Sequence, residues 1–339
     1  MKRVYSLILV LAGFIACNKE TGDSINSNAV SEVSQPFADT ARVPINDLGK
    51  GTYLGFTGGL YPGGTNKPPA GYAADLLAFA SSIKPLNPAG VGDSSLKGKI
   101  GFISIGGSTC GDLMIALKNK TNGNPKTNPF LHVVNCADGG GGASLNSVMN
   151  PNDPYWNHVD LVLRSSFINN RQIQVMYFET EDSTNLKSFP ARPYQYRDEL
   201  EVALRLFKTR FPNLKLVYFV GRTTTFHKSQ IPNIEPCPYY AGWGQKFVVQ
   251  DQINGVAGTK YKGDSAVAPL TTWAWYEWAN GTNVPRKDGF VWQESQTTDG
   301  LHATDAGLDT LSSRFQNFLF TDPAANRWYA NHHPFISPR

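Results

Sequence analysis

The fold of this chain is constrained most by an alternation of short apolar runs with longer amphipathic segments. Four runs have the length and continuous apolar character of buried strands, namely 99–105, 131–134, 173–178 and 214–220. Helical spacing of apolar residues is found in 111–120, 153–167, 197–211, 241–254 and 304–319. Short strands that alternate with helices predict a parallel sheet with helices on both faces. We therefore predict a single three-layer α/β/α domain with a mostly parallel central sheet.

A sheet of this kind indicates where a functional site is to be sought. Ligands bind beyond the carboxyl ends of parallel strands. These ends are expected at Ile105, Val134, Phe178 and Val220. The segment 255–300 is long and rich in Gly, Trp and Pro, and we predict that it covers one edge of the site.

Composition narrows the class of protein further. Of 339 residues, 41% are hydrophobic, which is enough for a sizeable core, and only 17% are charged, which argues against a mostly disordered chain. The formal net charge is 31 − 27 = +4. So small a charge on a chain of this length gives no reason to expect a nucleic acid as partner.

The N-terminus has the pattern of a secretory signal. Lys2 and Arg3 precede an apolar run at 4–16, which is shorter than the roughly 20 residues of a transmembrane helix. The run ends in Phe-Ile-Ala-Cys at 14–17, which resembles a bacterial lipoprotein signal in which the cysteine becomes the lipidated N-terminus. The alternatives are a plain signal peptide and an anchored apolar N-terminus.

This pattern predicts a location and a division of the chain. We expect a lipoprotein signal peptide at 1–16, lipidation of Cys17, a flexible tether at 17–48 and a domain at 49–339. The protein is then expected in a bacterial cell envelope, anchored by lipid to the outer membrane or the cell surface, or otherwise secreted.

Three cysteines follow the signal: Cys110, Cys136 and Cys237. An oxidising compartment permits one disulfide, and we predict Cys110–Cys136 because both residues follow neighbouring strands. Three buried thiols are the alternative. The spacings do not suggest a zinc site.

The loop after the first strand carries a candidate nucleophile. It runs Gly106-Gly107-Ser108-Thr109 into the following helix. A serine at a helix N-terminus can attack a carbonyl while free backbone N–H groups hold the oxyanion. The alternative is that Ser108 only caps the helix. The Gly-Lys-Ser/Thr ending of a phosphate-binding loop is absent.

A candidate base lies just before the last helix. Asp299 and His302 are three residues apart, so the carboxylate can reach one ring nitrogen while the other faces outward. Asp299 would fix the tautomer and stabilise the imidazolium, and His302 would serve as base and then as acid. A surface pair is the alternative.

A serine after the first strand, followed much later by Asp-x-x-His before the last helix, is an order that resembles the SGNH hydrolase superfamily, also called the GDSL-type esterases. The resemblance covers roughly residues 99–320. The stretch Asp-Gly-Leu-His-Ala-Thr-Asp-Ala-Gly at 299–307 is the most specific part. The resemblance implies a flavodoxin-like domain of the SGNH hydrolase type. It implies Ser108 as nucleophile, His302 as base and Asp299 as the partner that orients the base.

The oxyanion hole follows the family only in part. The resemblance implies the N–H of Ser108 and a glycine after the second strand, for which we choose Gly140 in the run 139–142. The family usually has Gly-x-Asn-Asp after the third strand, and its Asn donates to the oxyanion. Here Glu181 falls at that position, and an ionised carboxylate cannot donate a hydrogen bond. Asn185 is a candidate replacement, and Gly107 is a second departure, standing where the family often has Asp.

A narrower resemblance lies in the stretches 235–236, 242–246, 251–253 and 285–289 and in Val-Gly-Arg at 220–222 after the fourth strand. These stretches are similar to a little-characterised branch of secreted SGNH-like proteins. Arg222 would point into the site and pair with Glu179 or Glu181. An aromatic cluster precedes the His302 loop and consists of Trp273, Trp275, Tyr276, Trp278 and Trp292. We consider its member Trp292 for stacking on a sugar ring. A core beneath a long loop is the alternative for this cluster. The candidate substrate-binding residues are Glu179, Glu181, Arg222 and Trp292.

The resemblance implies a serine esterase that removes an acyl group, with acetyl the first candidate, from a carbohydrate or related polymer through an acyl-enzyme. Alternatives are a general esterase or lipase, and a non-catalytic glycan-binding protein, which Glu181 favours. A Ser108 hydroxyl close to one nitrogen of His302, with Asp299 on the other, would favour the enzyme. No metal or organic cofactor is implied. The expected partners are an acylated carbohydrate or small ester and, through the lipid anchor, a membrane.

Overall fold

A computed structural model describes residues 42–139, 143–184, 187–228, 231–280 and 285–332. The strands in chain order are β1 (Thr52–Tyr53), β2 (Phe56–Thr57), β3 (Ile100–Gly106), β4 (Leu131–Asn135), β5 (Ile173–Glu179), β6 (Leu216–Phe219) and β7 (Leu270–Trp273). The helices in chain order are α1 (Ile45–Leu48), α2 (Ala70–Ser81), α3 (Ser108–Thr121), α4 (Leu145–Met149), α5 (Tyr155–Ser165), α6 (Ala191–Arg210), α7 (Cys237–Ile253), α8 (Asp305–Thr321) and α9 (Ala325–Tyr329).

The central sheet of the described residues joins β3 to β7 in the order β4-β3-β5-β6-β7, with every neighbouring pair parallel. Numbered along the chain within this sheet, the order is 2-1-3-4-5, which is the flavodoxin-like arrangement. The direction of strand addition reverses between β3 and β5. A crevice outside the carboxyl ends of these two strands is therefore the expected place for a ligand.

Helices cover both faces of the sheet. Tyr177 of β5 contacts Phe315 of α8 with ring centroids 5.4 Å apart, whereas the next residue, Phe178, contacts Phe207 of α6 at 4.9 Å. Helices α3, α8 and α9 pack together on the first face, and α6 and α7 pack together on the second. Every residue of β3, β5, β6 and β7 is buried. The predicted three-layer fold with a parallel sheet is confirmed.

The structure adds to the central sheet a strand that is not predicted from the sequence. The four predicted strands are present with bounds within about two residues of those expected. The fifth, β7, lies inside the segment 255–300 and consists of Leu-Thr-Thr-Trp. Its two threonines interrupt the apolar run, so neither alternation nor continuous apolar character marks it. Helix α6 begins at Ala191 instead of 197, because Arg192 and Tyr196 are buried in its first turns.

The domain begins earlier than predicted. Ile45 is fully buried in α1, and the Tyr239 hydroxyl donates a hydrogen bond to the carbonyl of Val43 at 2.9 Å. Residues 43–48 are therefore part of the domain, and the predicted end of the tether at 48 is wrong.

The predicted signal peptide at 1–16 and the lipidation site Cys17 lie outside the described residues. Within the described ranges, none of the helices has the length and apolar character needed to cross a membrane.

The predicted disulfide is wrong. Cys110, Cys136 and Cys237 are buried free thiols. Cys110 lies on the first turn of α3, and its Sγ donates to the carbonyl of Ile105 at 3.4 Å. Burial raises the pKa of Cys110 and raises that of Cys136 to about 12. Both thiols are therefore protonated and unreactive at neutral pH.

Candidate active site

The turn between β3 and α3 holds Ser108 at the carboxyl edge of the sheet. Gly106 ends β3 with φ of +152°, and a Cβ atom there would lie 1.7 Å from the carbonyl oxygen of Glu179 on β5. Only glycine permits this approach. Helix α3 begins at Ser108, so the N–H of Ser108 is among the free donors of a helix N-terminus. The Ser108 side chain bonds to His302, which leaves no support for the alternative that it merely caps the helix.

A tight turn before α8 orients His302. Asp299 Oδ1 accepts hydrogen bonds from the N–H groups of Leu301 and His302 at 2.9 and 2.8 Å. Asp299 Oδ2 lies 2.7 Å from Nδ1 of the imidazole. The Thr304 side chain caps α8 by accepting from the N–H of Gly307 at 3.1 Å. The turn therefore fixes both the position and the tautomer of the ring.

The two loops meet across the carboxyl edge of the sheet. His302 Nε2 lies 2.7 Å from Ser108 Oγ, although the residues are 194 apart in the chain. Hydrogen bonds from the side chain and backbone of His302 lower the pKa of Asp299 to about 2, so this carboxylate is ionised at neutral pH. The structure thus brings together the three residues predicted as catalytic. A hydroxyl bonded to a base, which is itself oriented by a carboxylate, is the arrangement that activates a serine.

Ser108 and His302 open into a cleft of about 530 Å³. Its described lining is largely polar and consists of Gly107, Ser108, Thr109, Asp138, Gly139, Ala143, Ser144, Glu179, Thr180, Glu181, Ser183, Arg222, Pro232, Asn233, Leu301 and His302. Among its described residues, the segment 255–300 contributes none to this lining, but it supplies Asp299, which bonds to His302. The prediction that the segment covers one edge of the site stays a prediction. Its strand β7 lies two strands away from β5, at the far edge of the sheet. The residues at 232–233 line the cleft.

The predicted oxyanion hole is described in part. A Cβ atom at Gly139 would lie 3.4 Å from Ser108 Cβ, so the loop after β4 approaches the nucleophile closely. The N–H of Asp138 donates to the carbonyl of Gly106 at 3.0 Å, which ties this loop to the end of β3. Gly140 and Asn185 lie outside the described residues, and their predicted roles remain predictions.

Glu179 supports the helix that carries the nucleophile. Its Oε1 accepts a hydrogen bond from Thr109 Oγ1 at 2.7 Å, and its Oε2 accepts one from the Tyr177 hydroxyl. The side chain is buried, which raises the pKa of Glu179, while Arg222 acts in the opposite direction. Because protein groups engage both oxygens, Glu179 positions the start of α3. Glu179 also lines the cleft, and its predicted substrate-binding role stays a prediction.

Glu181 is a second buried carboxylate in the wall of the cleft. Its Oε1 accepts a hydrogen bond from Arg192 Nη2 at 3.2 Å. Its Oε2 has no hydrogen-bond partner among the described residues and lies 3.9 Å from Arg222 Nη1. Burial raises the pKa of Glu181 to about 7, against the effect of Arg222 and Arg192. Near neutral pH the side chain is therefore divided between its neutral and ionised forms.

Arg222 lies between the two carboxylates. Its Nε is 4.0 Å from Glu179 Oε1, so the predicted ion pair with Glu179 or Glu181 is confirmed for both partners. Its Nη2 also donates to Asn233 Oδ1 at 2.9 Å, which fixes one residue of the cleft lining. Arg192 is the residue that sequence reasoning missed. It belongs to a helix predicted to begin only at 197, and no motif marks it.

The aromatic cluster before the His302 loop belongs to the core. Trp292 is fully buried and packs on Phe290 with ring centroids 6.4 Å apart. It is absent from the described cleft lining, so its predicted substrate-binding role is wrong. The buried rings of this cluster are those of Trp273, Tyr276, Trp278 and Trp292. The alternative interpretation, a core beneath a long loop, is the correct one for these four residues.

Comparisons with known proteins do not assign this chain to a family. No family model and no curated protein matches the chain. The crystal structure of a candidate acylhydrolase from Bacteroides fragilis NCTC 9343 aligns with 74% of this chain and 94% of its own, at 12% identity and a TM-score of 0.38. In the part of the chain that the structure describes, no three His, Cys, Asp or Glu side chains are grouped to hold a metal ion.

Proposed function

We propose that this protein is a serine hydrolase of the SGNH type that cleaves carboxylic esters. The observation that carries the proposal is the continuous hydrogen-bonded chain from Ser108 through His302 to Asp299, with both links to the imidazole at 2.7 Å. Its position supports the proposal, because Ser108 follows β3 at the point where the strand order reverses.

The proposed reaction uses groups that already face one another. Ser108 Oγ attacks the ester carbonyl as His302 Nε2 takes its proton, and the N–H of Ser108 stabilises the oxyanion. The imidazolium, held by ionised Asp299, then protonates the leaving alcohol. Water activated by His302 attacks the acyl-enzyme and releases the acid and Ser108.

The lining of the cleft favours an ester of a hydroxyl-rich compound, and an acylated carbohydrate is our first candidate. Hydroxyl and amide groups come from Ser144, Thr180, Ser183 and Asn233. The larger apolar side chains expected in a site for a long acyl chain are represented, among the described lining residues, by Leu301 alone. This composition makes a lipase the weaker alternative.

Covalent labelling and ester hydrolysis test the proposal together. A fluorophosphonate probe should add its mass to the tryptic peptide that contains Ser108, and the protein should hydrolyse p-nitrophenyl acetate. Ser108→Ala should abolish both signals, while the exposed Ser295→Ala should abolish neither. Labelling of another residue, or hydrolysis that survives Ser108→Ala, would sink the proposal.

A glycan-binding protein without catalysis is the second candidate, and Glu181 is the observation that favours it. An ionised carboxylate in the cleft wall would oppose the negative charge of an oxyanion. Binding of acetylated oligosaccharides by calorimetry, together with absence of fluorophosphonate labelling, would select this candidate.

We also propose that the protein is anchored in a bacterial cell envelope through Cys17. The support is the signal pattern at 1–17. Metabolic labelling with a clickable fatty acid in an expressing bacterium should mark the wild-type chain and leave Cys17→Ala unmarked. Equal labelling of both chains would contradict this.

Replacing Gly300 should disturb the turn that orients the base. Gly300 has φ of +85°, and a Cβ atom there would lie 2.9 Å from His227 N. We expect Gly300→Ala to displace Asp299 and His302 and to lower kcat/KM for p-nitrophenyl acetate about 10- to 100-fold. Gly263→Ala is the matched control, because Gly263 has φ of +72° with nothing within 4 Å. An unchanged kcat/KM for Gly300→Ala would contradict the expectation.

A further inference from the structure

Glu181 lies in surroundings that are unfavourable for the ionised form of a carboxyl group. It follows β5 at the switch point of the sheet and lines the same cleft as Ser108 and His302. Arg192 engages Oε1, whereas Oε2 is shielded from solvent and has no hydrogen-bond partner among the described residues. Arg222 Nη1 lies 3.9 Å from Oε2, which is ion-pair distance but too long for a hydrogen bond. Ionisation would therefore leave a buried anionic oxygen without a donor, and a proton on Oε2 removes that cost.

We propose that ester hydrolysis in this cleft requires Glu181 in its neutral, protonated form, and that loss of this proton switches hydrolysis off. The inference rests on the proposed function and adds a mode of control to the same site. Neutral Glu181 leaves Glu179 as the one carboxylate at ion-pair distance from Arg222 among the described residues, so more of the positive charge of Arg222 acts on the cleft in which the oxyanion develops. Ionised Glu181 cancels that charge, and the transition state loses its support.

The surroundings of Glu181 are consistent with such a switch. The charged and titratable groups that act on it are Arg192 and Tyr196 of α6, Arg222 after β6, Cys237 of α7, and Glu179 and Asp182 on its own segment. The two guanidiniums favour ionisation, while burial and neighbouring carboxylates oppose it. The balance raises the pKa of Glu181 to about 7, so its proton is exchanged near neutral pH.

The sign of the pH dependence follows directly. Below about pH 7 Glu181 is mostly neutral, which is the form in which the cleft is active. Above it, wild-type kcat/KM should fall by about 100-fold at two pH units higher, as expected when loss of a single proton inactivates the site. A serine hydrolase without this group would instead keep its activity at alkaline pH.

The test is the pH profile of kcat/KM for p-nitrophenyl acetate, from about pH 5 to about pH 9, corrected with Ser108→Ala. Glu181→Gln is neutral at every pH, so the alkaline loss should vanish and the variant should exceed wild type about 100-fold at about pH 9. Glu199→Gln is the matched control. Burial also raises the pKa of Glu199 to about 7, but Glu199 lies outside the cleft lining. This control should keep the wild-type alkaline loss.

Carbon-13 NMR of glutamate-labelled protein gives a second readout that needs no activity. A carboxyl resonance that titrates near neutral pH, persists in Glu199→Gln and is missing from Glu181→Gln supports the proposal, and absence of any such resonance from the wild type overturns it. Superimposable kinetic profiles for wild type and Glu181→Gln also overturn it while leaving the esterase assignment standing. If no Ser108-dependent hydrolysis is found at any pH, the proposed function fails and this inference fails with it.

Discussion

Asp299→Asn is expected to lower kcat for p-nitrophenyl acetate about 10⁴-fold and to leave KM nearly unchanged. The turn explains the size of the effect. The amide oxygen of the new side chain can keep the two hydrogen bonds from the N–H groups of Leu301 and His302 that Asp299 Oδ1 now accepts. The amide NH₂ then faces Nδ1 of the ring and donates to it. The ring proton must move to Nε2, where it faces Ser108 Oγ, and the base is lost.

The comparison needs a control for charge removal alone. Asp264 is exposed in a loop outside the cleft lining, so Asp264→Asn removes one carboxylate and should change kcat less than twofold. Steady-state kcat and KM are measured for both variants at one pH, with Ser108→Ala as background. A value for Asp299→Asn within tenfold of wild type would mean that Asp299 does not set the tautomer of His302.

Gly106→Ala is expected to destabilise the domain by about 4 kcal/mol or more. A Cβ atom at this position would lie 1.7 Å from the carbonyl oxygen of Glu179 and 2.9 Å from Cys110 Cβ. Neither contact can be relieved by rotating a flexible side chain. The strands β3 and β5 must separate at their carboxyl ends, where they are paired at Gly106 and Glu179. Urea unfolding followed by circular dichroism measures the loss.

The next residue supplies the control for this prediction. Gly107 has φ of −84°, and a Cβ atom there would meet nothing within 4 Å. Gly107→Ala should therefore cost no more than about 1 kcal/mol, the usual penalty for alanine at a helix N-cap. Equal unfolding free energies for the two variants would contradict the steric account. Failure to recover folded Gly106→Ala, with normal Gly107→Ala, is the extreme form of the expected result.

Local chemistry explains why part of the site was predictable. Ser108, Asp299 and His302 each lie in a short segment whose glycines, caps and spacing carry the geometry within a few residues. The parallel sheet was predictable for a similar reason, since continuous apolar runs mark strands buried on both faces. The fifth strand, β7, could not be predicted because two of its four residues are threonines, so it forms no continuous apolar run.

The rest of the site depends on packing between distant segments. Arg192 reaches Glu181 only because the first turn of α6 folds over the end of β5, a contact that no spacing in the sequence encodes. Trp292 has the composition of a sugar-stacking residue, yet it is fully buried in the folded domain. Whether an aromatic side chain packs in the core or contacts a ligand depends on its neighbours in the folded protein. The periodicity of the sequence does not reveal those neighbours.

The separation of nucleophile and base by 194 residues has a consequence for biosynthesis. A nascent chain that stops before residue 302 carries the serine, the sheet up to β7 and most of the cleft lining, but no base. The triad is complete only after the segment that contains His302 and α8 has been made and has packed on α3. Appearance of ester hydrolysis during refolding would therefore report the docking of α8, and a chain cut short before His302 would carry a serine that no base activates.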